Sequence, residues 1–227
     1  KPIGLTLLSI PFVFILKLIF QVGNGDYFYL YNLSSKFITV FIIPSLLLLS
    51  SYLLYSTSSH FYKRRLPSIY IAFSYSFSSL AYLWSNSLFD HTTVSSLLLI
   101  LVCICFYYAF SIDSLLFSSE ECRILLIGFI AGLLFSIQIQ SIIPILFILI
   151  ISFIFNYCGP NKYNLGRRLI KFLIISIIGF VIAYLPSMIY YLKLYNAPFY
   201  ISYSDVQGFE LMKKGLYGIT YFNWHTF

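Results

Sequence analysis

Asp90 and His91 stand side by side in residues 84–93, WSNSLFDHTT, a polar gap between two apolar runs. A carboxylate beside an imidazole can act as general base and proton shuttle, hold a divalent metal, or meet a phosphate. The same spacing suits a plainer task, because Asp at a loop-to-helix junction caps the helix that follows. Asp90, with Thr92 sharing the role, would then cap a helix starting near Thr93, and both readings stay open. Gln138 and Gln140 flank a second gap, where amides could bind a sugar or phosphate or merely satisfy the turn. A third group, Asp205, Glu210, Lys213 and Lys214, lies among aromatic residues and glycines in YNAPFYISYSDVQGFELMKKGLYG. Such a loop could hold an extended substrate, and a solvated charge cluster is its commoner meaning.

The elements that must carry these residues are apolar. Hydrophobic residues make up 60% of the 227-residue chain and charged residues 9%. A soluble domain carries about 25% charged residues, so a water-soluble globule is excluded. A bilayer crossing needs roughly 20 apolar residues, and spans are predicted near 37–55, 67–84, 93–110, 123–139, 141–156 and 169–192. The fold class is therefore all-α, a polytopic transmembrane helix bundle of about six spans plus a juxtamembrane helix. Residues 1–36 hold that helix and an outer loop, 37–192 the transmembrane domain, and 193–227 an outer-face loop. The fourth and fifth spans are joined only by SIQIQS and read as a helical hairpin. Pro67 sits at a helix start, where its missing N–H does no harm. Pro44, Pro144 and Pro186 fall within spans, which membrane helices tolerate.

Charge orients the bundle. Lys63, Arg64 and Arg65 fill one link; Lys162, Arg167 and Arg168 fill another, with Lys171 just inside the next span. Between them, Asp113, Glu120 and Glu121 share a link with Arg123 at its edge. The alternate gaps, around Asn86 and around Gln138, contain no Lys or Arg. The positive-inside rule puts the basic links in the cytoplasm and Asp90, His91, Gln138, Gln140 and the tail outside. The run at 3–20 is short, holds Pro11 and Lys17, and fits a helix lying in the outer interface better than a crossing one. Asn32-Leu33-Ser34 matches a glycosylation acceptor on that outer side.

The net charge of +7 belongs to the short links and not to a nucleic-acid face, so no nucleic-acid partner is expected. Cys103 and Cys105 lie inside one run, and Cys122 and Cys158 in predicted cytoplasmic loops, which argues against a disulfide framework. No Walker loop, dinucleotide fingerprint, HExxH or GxSxG occurs. The chain opens at Lys1 without a Met or signal peptide and stops at Phe227 without a polar tail, which reads as an internal fragment.

Four segments in series carry a resemblance: KPIGLTLLSIPF, LWSNSLFDHTTVSSLLLI, GFIAGLLFSIQIQSIIPILF and LKLYNAPFYISYSDVQGFELMKKGLYGITYFN. Together they resemble the membrane glycosyltransferases similar to protein O-mannosyltransferases and aminoarabinose lipid A transferases. That resemblance implies transfer of a sugar from a polyprenyl-phosphate donor to a protein, glycan or lipid acceptor on the outer face. It implies a carboxylate base in a loop upstream of Lys1-Pro2, and residues 3–20 as a juxtamembrane helix. Asp90 and His91 fall at the family's second acidic position, which orients the base, the acceptor or a divalent metal. The basic residue expected near the hairpin turn is replaced by Gln138 or Gln140. A neutral amide gives up the charge-assisted bond to phosphate, leaving Lys213 and Lys214 to supply it.

The expected protein is thus a multi-pass integral membrane glycosyltransferase of the cytoplasmic membrane, or of the endoplasmic reticulum in a eukaryote. Membrane lipid and a polyprenyl-phosphate-linked sugar are the expected partners. A transporter or flippase of lipid-linked or small solutes is the rival from another class, and a non-catalytic membrane scaffold a third. A transporter calls for paired broken helices and ionisable groups at mid-membrane; here nearly all these groups lie at span ends and in links.

Overall fold

In this computed structural model the described residues are 36–78, 90–110, 119–138, 141–158 and 165–198, with Phe14, Ile15, Lys17, Leu18 and Leu33. They are almost all helical and include no strand. Helix α1 (Ile43–Tyr62) is entered through a π-helical turn at Ile38–Ile42. Helix α2 (Arg65–Phe73) runs on into a second π-helical turn, Ser74–Ser78. Then come α3 (Asp90–Ala109), α4 (Glu120–Ile137), α5 (Ile142–Cys158) and α6 (Leu165–Tyr195). Phe14, Ile15, Lys17 and Leu18, from the run at 3–20, are helical too.

Local chemistry sets the boundaries. Pro44 lies just past the π-helical turn inside the continuous helix Ile38–Tyr62, where its missing N–H removes one bond from the ladder, a gap membrane helices tolerate. At the other end Lys63 adopts the left-handed conformation (φ 50°), and its N–H closes on the Ser59 carbonyl at 3.1 Å. Only Lys63 and Arg64 then separate α1 from α2. Ser119 caps α4 by accepting the Cys122 N–H at 3.1 Å, and Glu120 and Glu121 fill its first turn, as the helix dipole favours. At the far end of α4 the Gln138 N–H reaches the Leu134 carbonyl (2.8 Å) and its own carbonyl accepts from Ser141 N–H (2.9 Å).

Among the described residues three helices, spanning Ile38–Tyr62, Thr92–Ala109 and Gly166–Tyr195, are long and apolar enough to cross a membrane. Helix α5 has only 17 residues, and α4 carries three charges near its start. The span expected near 67–84 is described only as far as Ser78. Helix α3 is the centre of the bundle: 67% of its apolar window is buried, against 33% for the α1 and α6 windows. It packs on α1, α4 and α5 through Leu97, Leu101, Ile104 and Tyr108. Helix α6 turns Leu173, Ile174, Ile177, Val181 and Ile182 outward, an apolar face suited to lipid.

One expectation about helix partners is corrected. The predicted hairpin of the fourth and fifth spans has its short turn, but its arms pack mainly elsewhere, α4 on α6 and α5 on α3. Small residues decide this. Gly128 and Gly132 form a Gly-x-x-x-Gly pair on α4 that faces Gly179 of α6. A Cβ on Gly128 would collide with the Ser176 carbonyl, one on Gly132 would meet Ala183 Cβ at 2.9 Å, and one on Gly179 would strike the Leu125 carbonyl. Side chains on α5 offer α4 no such approach. Arg123, expected at the edge of a link where a span begins, lies in the first turns of α4. It is 5% exposed, and its Nη1 donates to the Tyr107 carbonyl at 3.2 Å, capping one of the last carbonyls of α3. Cys122 and Cys158, expected in loops, belong to the first turn of α4 and the last residue of α5.

Candidate functional site

The links and helix ends that bear Lys63, Arg64, Arg65, Arg168 and Lys171 gather at one end of the bundle. Phe61 of α1 packs edge-on against Phe106 and Phe110 of α3, with ring centres 5.8 and 5.2 Å apart. Arg123 ties α4 to that end of α3. Lys171 of α6 bonds Glu121 at 2.6 Å and lies 3.8 Å from Glu120, which is 4.0 Å from Arg168. The Lys171 ammonium beside it holds the Glu121 carboxyl below its ordinary value. Glu120, Glu121, Arg168 and Lys171 thus clamp α4 to α6.

The opposite end carries the candidate site. Three contacts fix the helix registers: Ser152 Oγ on the Cys105 carbonyl (3.5 Å), Arg123 on Tyr107, and Gly132 against Phe180 and Ala183. Counting along the helices from these points puts Thr92, Thr93 and Ser96 of α3, Ser141 beside α5 and Ser187 of α6 in one layer. The layer is about two helical turns deep. All five side chains are buried, and among the described residues none of their hydroxyls has a hydrogen-bond partner. Their behaviour contrasts with α1, where Ser50, Ser51, Thr57 and Ser58 donate to carbonyls three or four residues back at 2.6–2.8 Å. A buried hydroxyl left unpaired costs about 1–3 kcal/mol, so five in one layer call for a reason.

Asp90 and His91 open α3 directly above this layer, their backbone already helical. The helix therefore starts three residues before the expected Thr93. Thr92 does not share in capping, since its hydroxyl is buried and unpartnered. Gln138 ends α4 at the same level, half-buried. Gln140, Asp205, Glu210, Lys213 and Lys214 lie outside the described residues. Among the described residues no three His, Cys, Asp or Glu side chains come together as a metal site.

Reasoning from the sequence singled out Asp90 and His91 but passed over the hydroxyls beneath them. A signal was present: Thr92, Thr93 and Ser96 repeat at three- and four-residue spacing at the start of a largely apolar helix, which puts them on one side of it. The Gly128–Gly132 pair was equally visible as GFIAG. No family model matches the chain, and neither does a curated protein or a solved structure.

Proposed function

We propose that this chain is the membrane-embedded part of an inverting glycosyltransferase that takes a sugar from a polyprenyl-phosphate donor. The layer of unpaired hydroxyls under Asp90-His91 carries the proposal. Hydroxyl groups donate and accept alike, so Ser and Thr side chains match a sugar, whose own hydroxyls do the same. The four resembling segments support the same activity, and two of them include Asp90-His91 and Gln138.

The topology that goes with it has six spans, the Lys- and Arg-bearing links in the cytoplasm, and the hydroxyl layer toward the outer face. Asp90 and His91 orient the acceptor and its base, a carboxylate supplied from another part of the protein. Proton removal from the acceptor hydroxyl accompanies attack at the anomeric carbon, and the lipid phosphate departs with the bonding electrons. Lys213 and Lys214 are the cations available to the departing phosphate.

Replacing Asp90→Asn in the full-length protein tests this. Transfer of labelled sugar from a polyprenyl-phosphate donor in vesicles should fall by a factor of about 100 or more. Unchanged transfer would reduce Asp90 to a helix-start residue. Movement of the intact labelled lipid across the membrane, with no sugar transferred, would favour a flippase.

A further inference from the structure

At the basic end of the bundle a crevice of about 270 Å³ opens sideways between α3 and α5. Val102, Cys105 and Ala109 line one wall, and Phe147, Ile151 and Phe155 the other. The walls are almost wholly apolar. Ala109 leaves room where its neighbours Phe106 and Phe110 carry rings. Beside the opening, Phe147, Ile150 and Ile154 face outward from α5, so the crevice continues an apolar outer surface.

Aromatic rings lead from the crevice to a cluster of cations. Phe155 stacks obliquely near Phe110 (6.0 Å between centres), and Phe110 meets Phe61 edge-on at 5.2 Å. Two residues past Phe61 come Lys63, Arg64 and Arg65, all exposed. Arg168 and Lys171 at this end are neutralised by Glu120 and Glu121. Among the described residues Lys63, Arg64 and Arg65 enter no ion pair.

Helix electrostatics account for only one of the three. Lys63 follows the C-terminus of α1, where a cation is favoured. Arg64 and Arg65 occupy the N-cap and first residue of α2, the end whose dipole repels a cation. The first turn of α2 contains no acidic residue to offset them. Two arginines held at such an end, next to an apolar crevice, match a molecule with an anionic head and a hydrocarbon tail.

We propose that the α3–α5 crevice and the Lys63-Arg64-Arg65 turn form a single binding site for an anionic phospholipid. One acyl chain lies in the crevice, and the phosphate headgroup sits on the cations. The proposal rests on helices embedded in a membrane and is independent of sugar transfer.

Native mass spectrometry of the full-length protein, with phosphatidylglycerol or phosphatidylcholine of identical tails, tests it. The protein should retain one phosphatidylglycerol in preference to phosphatidylcholine. Changing Lys63, Arg64 and Arg65 together to Gln should weaken phosphatidylglycerol binding about a hundredfold, to the level of phosphatidylcholine. Ala109→Phe, which fills the crevice, should abolish retention of both. Equal retention by the unaltered protein, a preference that survives the triple change, or retention that survives Ala109→Phe would each overturn the site. Should Ala109→Phe fail to fold, Phe155→Trp fluorescence provides the second measurement. Brominated-tail phosphatidylglycerol should quench it more than brominated-tail phosphatidylcholine, and equal quenching would overturn the proposal.

Discussion

At the scale of residues, the hydroxyls of Thr92, Thr93, Ser96, Ser141 and Ser187 differ from every hydroxyl that folds back on its own helix in α1. Removing an unpaired buried hydroxyl while keeping its shape should relieve a cost, not create one. Thr93→Val is accordingly expected to leave thermal stability unchanged or raise it by up to about 1 kcal/mol, while lowering sugar transfer. A lower melting temperature would show that Thr93 has a structural bond. The ion pair at the other end behaves differently with pH. The Glu121 carboxyl has its pKa lowered by the hydrogen bond from Lys171, so its contribution is present above the ordinary value of 4.5 and is lost as pH falls through the folded-state value. Amide exchange in the first turn of α4 should therefore quicken on acidification below that value, modestly because the pair is exposed. Glu121→Gln should flatten the response, and a dependence that persists in that variant would assign it to another group.

Helix boundaries and helix partners were not equally legible at the scale of elements. Hydropathy and breakers located the helices: spans expected at 93–110 and 169–192 are observed as Asp90–Ala109 and Leu165–Tyr195. Partners were hidden, because the apolar residues of α3 and α4 run right round each helix and so form no stripe that marks a neighbour. Sequence adjacency suggested α4 against α5, whereas three glycines put α4 against α6. Charge alone marked Arg123 as a helix-end residue, and only geometry reveals the Tyr107 carbonyl that accepts from it. Asp90-His91 could be picked out by residue type, but the hydroxyl layer needed three helices in register. The glycine contact makes a prediction of its own. Gly128→Ala should destabilise the protein by about 1–3 kcal/mol in a denaturant titration, since its methyl meets the Ser176 backbone. Gly166→Ala, where a methyl meets nothing within 4 Å, is the matched control and should cost nothing. Equal effects would dissociate stability from helix approach.

Across the whole molecule the two ends have opposite characters. One gathers Arg and Lys with their carboxylate partners; the other buries neutral hydroxyls below Asp90 and His91. The α4–α6 seam joins these ends, and it links helices that are not consecutive in the chain. During synthesis α4 leaves the ribosome first, then α5, and α6 only afterwards. Until α6 arrives, the groove at Gly128 and Gly132 has nothing but lipid or the insertion machinery to fill it. A nascent chain halted when residues through Cys158 have just emerged should hence remain associated with the translocon, as measured by crosslinking from position 132, and release it once residues through Tyr195 have emerged. Release at the shorter length would mean that α4 finds another early partner. Maturation of this protein is thereby tied to the arrival of a single late helix.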